Sequence, residues 1–225
     1  MAMLIFFVLI NKKMPSLKVT IIYIELLIVR VNKKMTDEII KHIGQLIPLQ
    51  EDDLKVFISK FKPLTLKKGD YFIREGQISR KVGFIISGSM LCSYNKKGEE
   101  IIDEFSLDKE FITDYFSFLT NSPAGKDVRC LENTELLVIN YEDMQKLYAQ
   151  NPIFEKVGRL MAEALFMNWQ QKAKSLMLDD AKTRYLKLIT RRPDLSQRVP
   201  QYLIASYLNV KPETLSRIRK KITSK

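Results

Sequence analysis

The stretch from Val199 to Ile222 reads VPQYLIASYLNVKPETLSRIRKKI, two short amphipathic segments on either side of a turn. In the first segment the apolar residues are spaced by one, three and four positions, as in a packed helix: Leu203, Ile204, Tyr207 and Leu208. Asn209 follows, and asparagine tolerates the left-handed turn conformation better than most other non-glycine residues. The pattern predicts a helix that ends at a turn near residue 209.

The second segment has the features of another helix. Pro212 suits the first helical position, and Glu213 lies in the positive first turn. The apolar residues at spacings of three and four are Leu215, Ile218 and Ile222, and the polar residues that share another face are Glu213, Ser216 and Arg217. This pattern predicts a helix-turn-helix whose second helix enters the major groove of DNA. The alternative is a basic amphipathic helix with a solvated charged face.

These residues also carry a family resemblance. Residues 204–222, IASYLNVKPETLSRIRKKI, closely resemble the helix-turn-helix of the Crp/Fnr family of bacterial transcription regulators, including its E-x-x-S-R core. The resemblance implies that Glu213, Ser216 and Arg217 read bases in a palindrome with TTGA-like half-sites, about ten base pairs apart. The residues expected to contact phosphate are Thr214, Arg219, Lys220 and Lys221.

Length and charge indicate two domains of different character. The 225 residues include 46% hydrophobic and 10% aromatic residues, which is typical of a globular protein with room for two cores. The net charge of +11 is uneven: residues 1–34 carry +5, residues 172–225 carry +10 and residues 35–171 carry −4. An acidic middle beside a basic end indicates a sensor or scaffold domain joined to a domain that binds a polyanion.

Residues 1–34 stand apart from the rest of the chain. Met3–Ile10 is too short to span a bilayer, and charged residues interrupt Val19–Val31. The segment lacks the basic start and small-residue cleavage site of a signal peptide. We interpret it as a leader outside the native fold, with the domain beginning at Met35 and Thr36 as a helix N-cap; the alternative is a membrane-contacting segment. No membrane partner is expected.

Residues 35–151 are predicted to form the sensor domain. From Leu64 to Asn140 the chain consists of short β-branched and aromatic runs, with a hairpin turn at Asn95–Gly98. The glycines that break these runs are Gly69, Gly76, Gly88 and Gly98. Such spacing predicts a small antiparallel barrel or roll. The segments KKGDYFIREG (67–76), GFIISGS (83–89) and GEE (98–100) resemble the cyclic-nucleotide-binding roll of the same family.

Residues 152–178 read as one long helix. The apolar residues that alternate steps of four and three are Val157, Leu160, Ala164 and Met167, the spacing of a coiled-coil seam. The family resemblance favours a dimerisation helix, and a two-fold DNA reader also needs its two recognition helices held one duplex turn apart. The alternative is a helix packed only on its own roll. Phe166 and Trp169 are expected to pack against the roll.

Residues 179–225 are predicted to form a winged helix-turn-helix domain. Asp179 and Asp180 suit the cap of a helix over Ala181–Thr190. Leu195–Val199 is expected to be a short strand or loop that leads into the helix pair.

The segment that would hold an effector departs from the family pattern. In members that bind cyclic AMP, a glutamate holds the ribose and an Arg-Ser pair binds the phosphate. Here Thr113 and Asp114 replace a Gly-Glu pair, and Ala124 and Gly125 stand where the Arg-Ser pair would be. The candidate pocket residues are Asp114, Tyr115, Phe116, Lys126 and Arg129. Because phosphate needs a charged partner to offset its lost hydration, cyclic AMP is not expected to bind.

Other cofactors and catalytic functions have little support in the sequence. The family's oxygen sensors hold an iron-sulfur cluster with N-terminal cysteines, but the first cysteine here is Cys92. A haem sensor would need a histidine within the roll, and His42 precedes it. No catalytic triad, paired carboxylates or P-loop is visible, so we expect no enzyme. Two isolated cysteines, Cys92 and Cys130, fit a reducing cytoplasm.

The sequence therefore predicts an α+β protein: an N-terminal antiparallel β-roll, a long dimerisation helix and a C-terminal winged helix-turn-helix. The predicted function is that of a cytoplasmic, homodimeric Crp/Fnr-type transcription regulator, with double-stranded DNA and RNA polymerase as partners. The alternative function is a cyclic-nucleotide-binding regulatory module whose basic tail docks a protein partner.

Overall fold

The computed structural model describes residue 33 and residues 35–223. The predicted leader therefore lies outside the described residues, except for Lys33. Helix α1 covers residues 35–46, and α2 is Glu51–Ser59. The prediction that Thr36 caps α1 was wrong: Lys33 is already helical, and the Thr36 hydroxyl donates to the Lys33 carbonyl at 2.8 Å. The side chain thus bonds back within the helix instead of capping free N–H groups.

The predicted antiparallel roll is confirmed. Its two four-stranded sheets have the strand orders β1-β8-β3-β6 and β2-β7-β4-β5. The strands are β1 (Lys62–Leu66), β2 (Tyr71–Ile73), β3 (Lys81–Ser87), β4 (Met90–Lys96), β5 (Glu99–Ser106), β6 (Phe111–Ile112), β7 (Asp127–Cys130) and β8 (Thr134–Asn140). All pairs are antiparallel. Neighbouring strands can therefore be joined by short turns, as the glycine spacing indicated.

Two turns show why glycine is needed at its positions. In the β4–β5 hairpin, Lys96 pairs with Glu99, and the loop residues Lys97 and Gly98 have φ of 54° and 89°. Positive φ at both loop residues is the type I′ turn that suits a twisted hairpin. At Gly88 (φ 119°) a Cβ would lie 2.7 Å from the Cα of Thr134, so a side chain cannot fit.

The helices of the remaining chain are α3 (Tyr115–Thr120), α4 (Tyr141–Gln150), α5 (Pro152–Leu178), α6 (Ala181–Arg191), α7 (Pro193–Arg198), α8 (Gln201–Tyr207) and α9 (Pro212–Thr223). They match the predicted boundaries closely at α5, α6 and the helix pair, whereas α3, α4 and α7 were not predicted. The long helix α5 is confirmed; Asn151 caps it by accepting from the Ile153 N–H at 3.1 Å. Asp180 caps α6 by accepting from the Thr183 N–H at 2.7 Å.

The wing is the part of the predicted fold that the structure corrects. Residues 179–223 contain helices and no strand. Leu195–Val199, expected as a strand or loop, largely belongs to α7. Pro193 and Asp194 in its first turn favour a helix, and the Ser196 hydroxyl donates to the Pro193 carbonyl at 2.7 Å.

Three apolar clusters hold the molecule together. One joins the roll to α1, α2, α4 and the first turns of α5, and another fills the roll around Ile85 and Met90. The third is shared by the roll and the C-terminal helices. Its roll members are Leu91, Ile102, Phe105 and Leu107, and its helical members include Tyr185, Leu188, Leu195, Leu203, Ile204, Ala205, Leu208 and Leu215. The C-terminal helices therefore complete their core with strands β4 and β5.

Helix α5 changes its environment along its length. Phe154 and Val157 are buried near its start, whereas Phe166 and Trp169 are each 62% exposed. The expectation that Phe166 and Trp169 pack against the roll was therefore wrong, because this half of the helix extends past the roll core. None of the helices in the described part of the chain combines the length and apolar character needed to cross a membrane.

Candidate functional site

Helices α8 and α9 are joined by the turn that the sequence predicted. Asn209 has φ of 53°, in the left-handed region. Its N–H donates to the Ser206 carbonyl at 2.9 Å, and the Val210 N–H donates to the Ala205 carbonyl at 3.0 Å. These two bonds form a Schellman motif with Asn209 at the left-handed position, which ends α8 and sets the start of α9.

Helix α9 has one buried face and one exposed face. Leu215 is 1% exposed, and Ile218 and Ile222 are half-buried against the shared core. The three predicted base-reading residues, Glu213, Ser216 and Arg217, are all exposed. Their spacing of three and four places them on one side of the helix, away from Leu215.

The predicted phosphate-contacting residues lie around that face. Arg219, Lys220 and Lys221 are exposed, and Lys220 and Lys221 belong to the last turn. Thr214 is half-buried, and its hydroxyl accepts from the Arg217 guanidinium at 3.4 Å. Thr214 is therefore placed to orient Arg217.

Ser206 fixes the helix pair to the roll, and Arg184 fixes it to helix α6. The Ser206 hydroxyl accepts from the Ile102 N–H of β5 at 3.1 Å and lies 3.4 Å from the Glu100 carbonyl. Arg184 of α6 donates to the carbonyl of Leu208 at 3.1 Å, at the end of α8. The orientation of α9 thus depends on contacts outside the pair itself.

Two further arginines fasten the C-terminal helices to one end of the roll. Arg198 donates to Asp108 at 2.6 Å and to the Gly88 carbonyl at 2.9 Å, and it also pairs with Glu132. One guanidinium therefore contacts three separate turns of the roll. No local sequence pattern marks Arg198, because each of its partners lies at least 66 positions away in the chain.

Arg192 makes a second contact of this kind. It binds Glu110 at 3.0 Å and approaches the Phe105 carbonyl at 3.4 Å. Burial raises the pKa of Glu110, and Arg192 only partly opposes this rise.

The effector segment uses its own polar groups internally. Asp114 is 5% exposed and caps α3, where it accepts from the Ser117 N–H at 3.2 Å. Its other oxygen accepts from the Gly125 N–H at 3.2 Å. Ala124 is 2% exposed, so its side chain faces the core of the roll. The backbone amides of this segment are thus already bound to a carboxylate of the chain.

The two cations near this segment are also engaged. Lys126 binds Asp103 at 2.8 Å, and Arg129 binds Glu100 at 3.1 Å. Lys172 from α5 binds the second oxygen of Asp103 at 3.2 Å. Burial alone would raise the pKa of Asp103, but Lys126 and Lys172 hold it below its usual value. This arrangement does not fit a cyclic phosphate, because the two cations that would bind it already pair with Asp103 and Glu100 of β5.

The aromatic residues of the segment do not form a common pocket. Tyr115 is half-buried and stacks on Phe118 with a ring separation of 6.5 Å. Phe116 is 72% exposed, so the structure does not support it as a pocket residue. A cleft of about 360 Å³ lies elsewhere, between the β4–β5 hairpin, α5 and the α8–α9 turn. None of the five predicted pocket residues lines it.

The predicted dimer seam is only partly exposed. Val157 is 2% exposed inside its own core and Leu160 packs beside it, so Val157 was wrongly assigned to a seam. Ala164 is half-buried and Met167 is 55% exposed. The exposed apolar residues of α5 are Leu165, Phe166, Met167, Trp169, Leu176, Met177 and Leu178.

Residues 63–151 match the family of cyclic nucleotide-binding domains. None of the curated proteins matches the chain. Solved structures similar to the chain extend the match beyond this domain.

The c-di-GMP-responsive global regulator CLP of Xanthomonas campestris is 18% identical, with a TM-score of 0.61 over 78% of this chain and 92% of that one. FixK2 of Bradyrhizobium japonicum is 14% identical, with a TM-score of 0.60 over 73% and 85% of the two chains. The catabolite activator protein of Thermus thermophilus is 17% identical, with a TM-score of 0.52 over 81% and 87%.

These neighbours are Crp/Fnr-family transcription regulators and not enzymes. The cyclic nucleotide-binding domain, the long helix and the C-terminal helices of this chain together have the fold of such regulators. At these levels of identity the similarity establishes the fold, but it does not assign a role to any residue of this chain.

Proposed function

We propose that this protein is a transcription regulator that binds a palindromic DNA operator as a homodimer. The observation that carries the proposal is the division of α9, which buries Leu215 and exposes Glu213, Ser216 and Arg217. A recognition helix needs this division, because one face must be held by the protein while the other meets base edges.

The exposed side chains suit a specific readout. The planar fork of Arg217 matches O6 and N7 of guanine, and the Glu213 carboxylate accepts from N4 of cytosine. Ser216 adds a small polar contact between them. Together they favour TTGA-like half-sites about ten base pairs apart, with Thr214, Arg219, Lys220 and Lys221 directed mainly to phosphates.

A second copy of the chain is the proposed partner of α5. Its second half exposes an apolar stripe that includes Phe166 and Met167, and a two-fold axis along this stripe would pair identical surfaces. Met167→Glu should therefore give a monomer in light scattering with the fold intact, since Met167 is 55% exposed. RNA polymerase is a further proposed partner.

The domain match favours a second candidate, a cyclic-nucleotide-binding module whose basic tail docks a protein. The pairing of Lys126 with Asp103 and of Arg129 with Glu100 favours the first candidate, since neither cation is available to a phosphate. We therefore propose a regulator that works without cyclic AMP, and also without an iron-sulfur cluster or haem.

Selection from random duplexes with the purified protein tests the proposal. The wild type should enrich a palindrome with TTGA-like half-sites. Arg217→Ala should lose about 1–3 kcal/mol on that site and relax the preference at guanine, whereas Lys220→Ala should weaken binding to all sequences alike. A wild type that enriches no motif would refute the function, and an unchanged motif for Arg217→Ala would refute the readout.

A further inference from the structure

The β4–β5 hairpin packs against the helix pair, which has no wing of its own among residues 179–223. Residues 179–223 contain no strand, and the helix pair instead packs on β5. Phe105 of β5 contacts Tyr207 of α8, with a ring separation of 5.4 Å. The Ile102 N–H of the same strand donates to the Ser206 hydroxyl at 3.1 Å.

The order of these contacts shows where the hairpin leads. Asp108, just after β5, is bound by Arg198 before the helix pair, whereas Ile102 contacts Ser206 near the end of α8. One residue further towards the tip, Ile101 lines the same cleft as Asn209 of the α8–α9 turn. Strand β5 therefore lies beside the end of α8, next to the turn that precedes α9.

The tip of the hairpin continues beyond these contacts. Lys97 is four residues beyond Ile101, and a strand rises about 3.3 Å per residue, so the tip lies roughly 13 Å from Ile101. The first turn of α9, which contains Glu213, begins three residues after Asn209. The tip therefore follows directly on strand residues that lie beside the turn before α9.

The tip itself is a rigid and basic turn. Lys96 and Lys97 are exposed, and neither pairs with a carboxylate of the described residues 35–223. The type I′ turn is held by the Gly98 N–H, which donates to the Asn95 side chain at 2.8 Å. The acids that follow are Glu99, which is exposed, and Glu100, which is neutralised by Arg129 at 3.1 Å. The tip therefore keeps a net positive charge.

We propose that Lys96 and Lys97 of the β4–β5 hairpin bind the DNA backbone beside the recognition helix, as a wing supplied by the sensor domain. The proposal rests on the DNA-binding function proposed above. A phosphate flanking the half-site would replace the water around the two ammonium groups, and counterions would be released from the duplex. These contacts carry no sequence information, so they would add affinity without changing the motif.

The test compares two turns of the same composition. The variant Lys96→Gln/Lys97→Asn removes both charges, and asparagine suits the left-handed position of Lys97. The matched control is Lys67→Gln/Lys68→Gln in the turn Lys67-Lys68-Gly69. That turn lies at the other end of β4, where the Lys68 N–H bonds to the side chain of Asn133 at 3.0 Å.

Affinity for a duplex with TTGA-like half-sites is measured over a range of salt concentrations. Each phosphate contact contributes about 0.9 to the slope of log K against log salt. The slope measured for the hairpin variant should therefore be shallower than that of the wild type by up to about 1.8. When the salt concentration rises from about 50 to about 200 mM, both proteins should lose affinity. The factor lost by the variant should be about ten times smaller than the factor lost by the wild type. The control variant and the charge-preserving Lys96→Arg/Lys97→Arg should keep the slope of the wild type.

Three results would overturn the inference. If the hairpin variant keeps the slope of a wild type that does bind, the tip does not contact phosphate and the proposed function stands. If the selected motif changes, the lysines read bases instead of the backbone. If the wild type binds no duplex at any salt concentration, the inference fails together with the function on which it rests.

Discussion

The effector segment and helix α9 both carry cations and carboxylates, but they use them in opposite ways. In the effector segment, Lys126 pairs with Asp103, Arg129 pairs with Glu100, and Asp114 caps a helix. On α9, Glu213 and Arg217 stay exposed although their spacing of four would allow an ion pair. The first set of charges is paired within the fold, whereas Glu213 and Arg217 are exposed to solvent.

Burial explains the difference between the two regions. Lys126 and Asp103 are only 17% and 16% exposed, so each needs a partner to offset its lost hydration. Charged side chains on the open face of α9 keep their water and need no partner within the fold. An effector phosphate would have to compete with carboxylates that already bind the cations, whereas a nucleic acid would meet side chains that are still hydrated.

The largest expected effect separates the two faces of α9. Leu215→Ala should lower the free energy of unfolding by about 3 kcal/mol, because Leu215 is 1% exposed in the core shared with the roll. Ser216→Ala, on the exposed face, should change it by less than about 0.5 kcal/mol. Urea unfolding measures both. Equal losses for the two variants would contradict the division of the helix.

The ion pair of the effector segment should give the next largest effect. Asp103→Asn leaves Lys126 and Lys172 facing each other without their carboxylate, and should cost about 2 kcal/mol in urea unfolding. The control is Lys55→Ala, which breaks an exposed pair with Glu51 and should cost less than about 0.5 kcal/mol. If Asp103→Asn is as mild as Lys55→Ala, the charges near the effector segment do not stabilise the fold.

A pH effect should appear at Glu104, which lies beside Asp103 on β5. Burial raises its pKa above 4.5, and the nearby Lys172 and Arg192 only partly oppose this. The folded state therefore disfavours the ionised form. Glu104→Gln should be more stable than the wild type at pH 7, by a margin that narrows as the pH falls towards 4.5. Thermal unfolding from pH 4.5 to 7 measures this. A stability margin that widens on acidification would contradict a raised pKa for Glu104.

The smallest expected effect is that of cyclic AMP itself. Since Lys126 and Arg129 are engaged, we expect the dissociation constant of cyclic AMP to exceed about 1 mM. Cyclic AMP at about 1 mM should then raise the free energy of unfolding of the wild type by less than about 0.4 kcal/mol. Calorimetry on the free protein should detect no binding. A dissociation constant in the micromolar range would show that the cations can exchange their carboxylates for a phosphate.

Local patterns were enough to predict much of this molecule. The faces of α9 followed from the spacing of Leu215, Ile218 and Ile222, and the turn at Asn209 followed from its residue type. The hairpin at Asn95–Gly98 was equally local. In each case the residues that decide the structure lie within a few positions of one another.

The errors concern what each element packs against. Helix α5 has apolar residues on several sides, so spacing alone could not tell that Val157 faces its own roll and that Trp169 is exposed. The wing was expected from the family resemblance, but residues 179–223 contain no strand, and β5 packs against α8. The contacts of Arg198 could not be predicted either, since no periodicity links it to Gly88 or Asp108.

The core shared by the roll and the C-terminal helices has a consequence for folding. Ile102 and Ser206, which bond across this core, are 104 positions apart in the chain. At about 5–20 residues per second, a ribosome would finish β5 roughly 5–20 s before it reaches Ser206. The roll would then be ready as a template, and the C-terminal helices would dock on it last. Such long-range docking slows folding. It also means that a fragment made of the C-terminal helices alone would lack the part of its core that the roll supplies, Leu91, Ile102, Phe105 and Leu107.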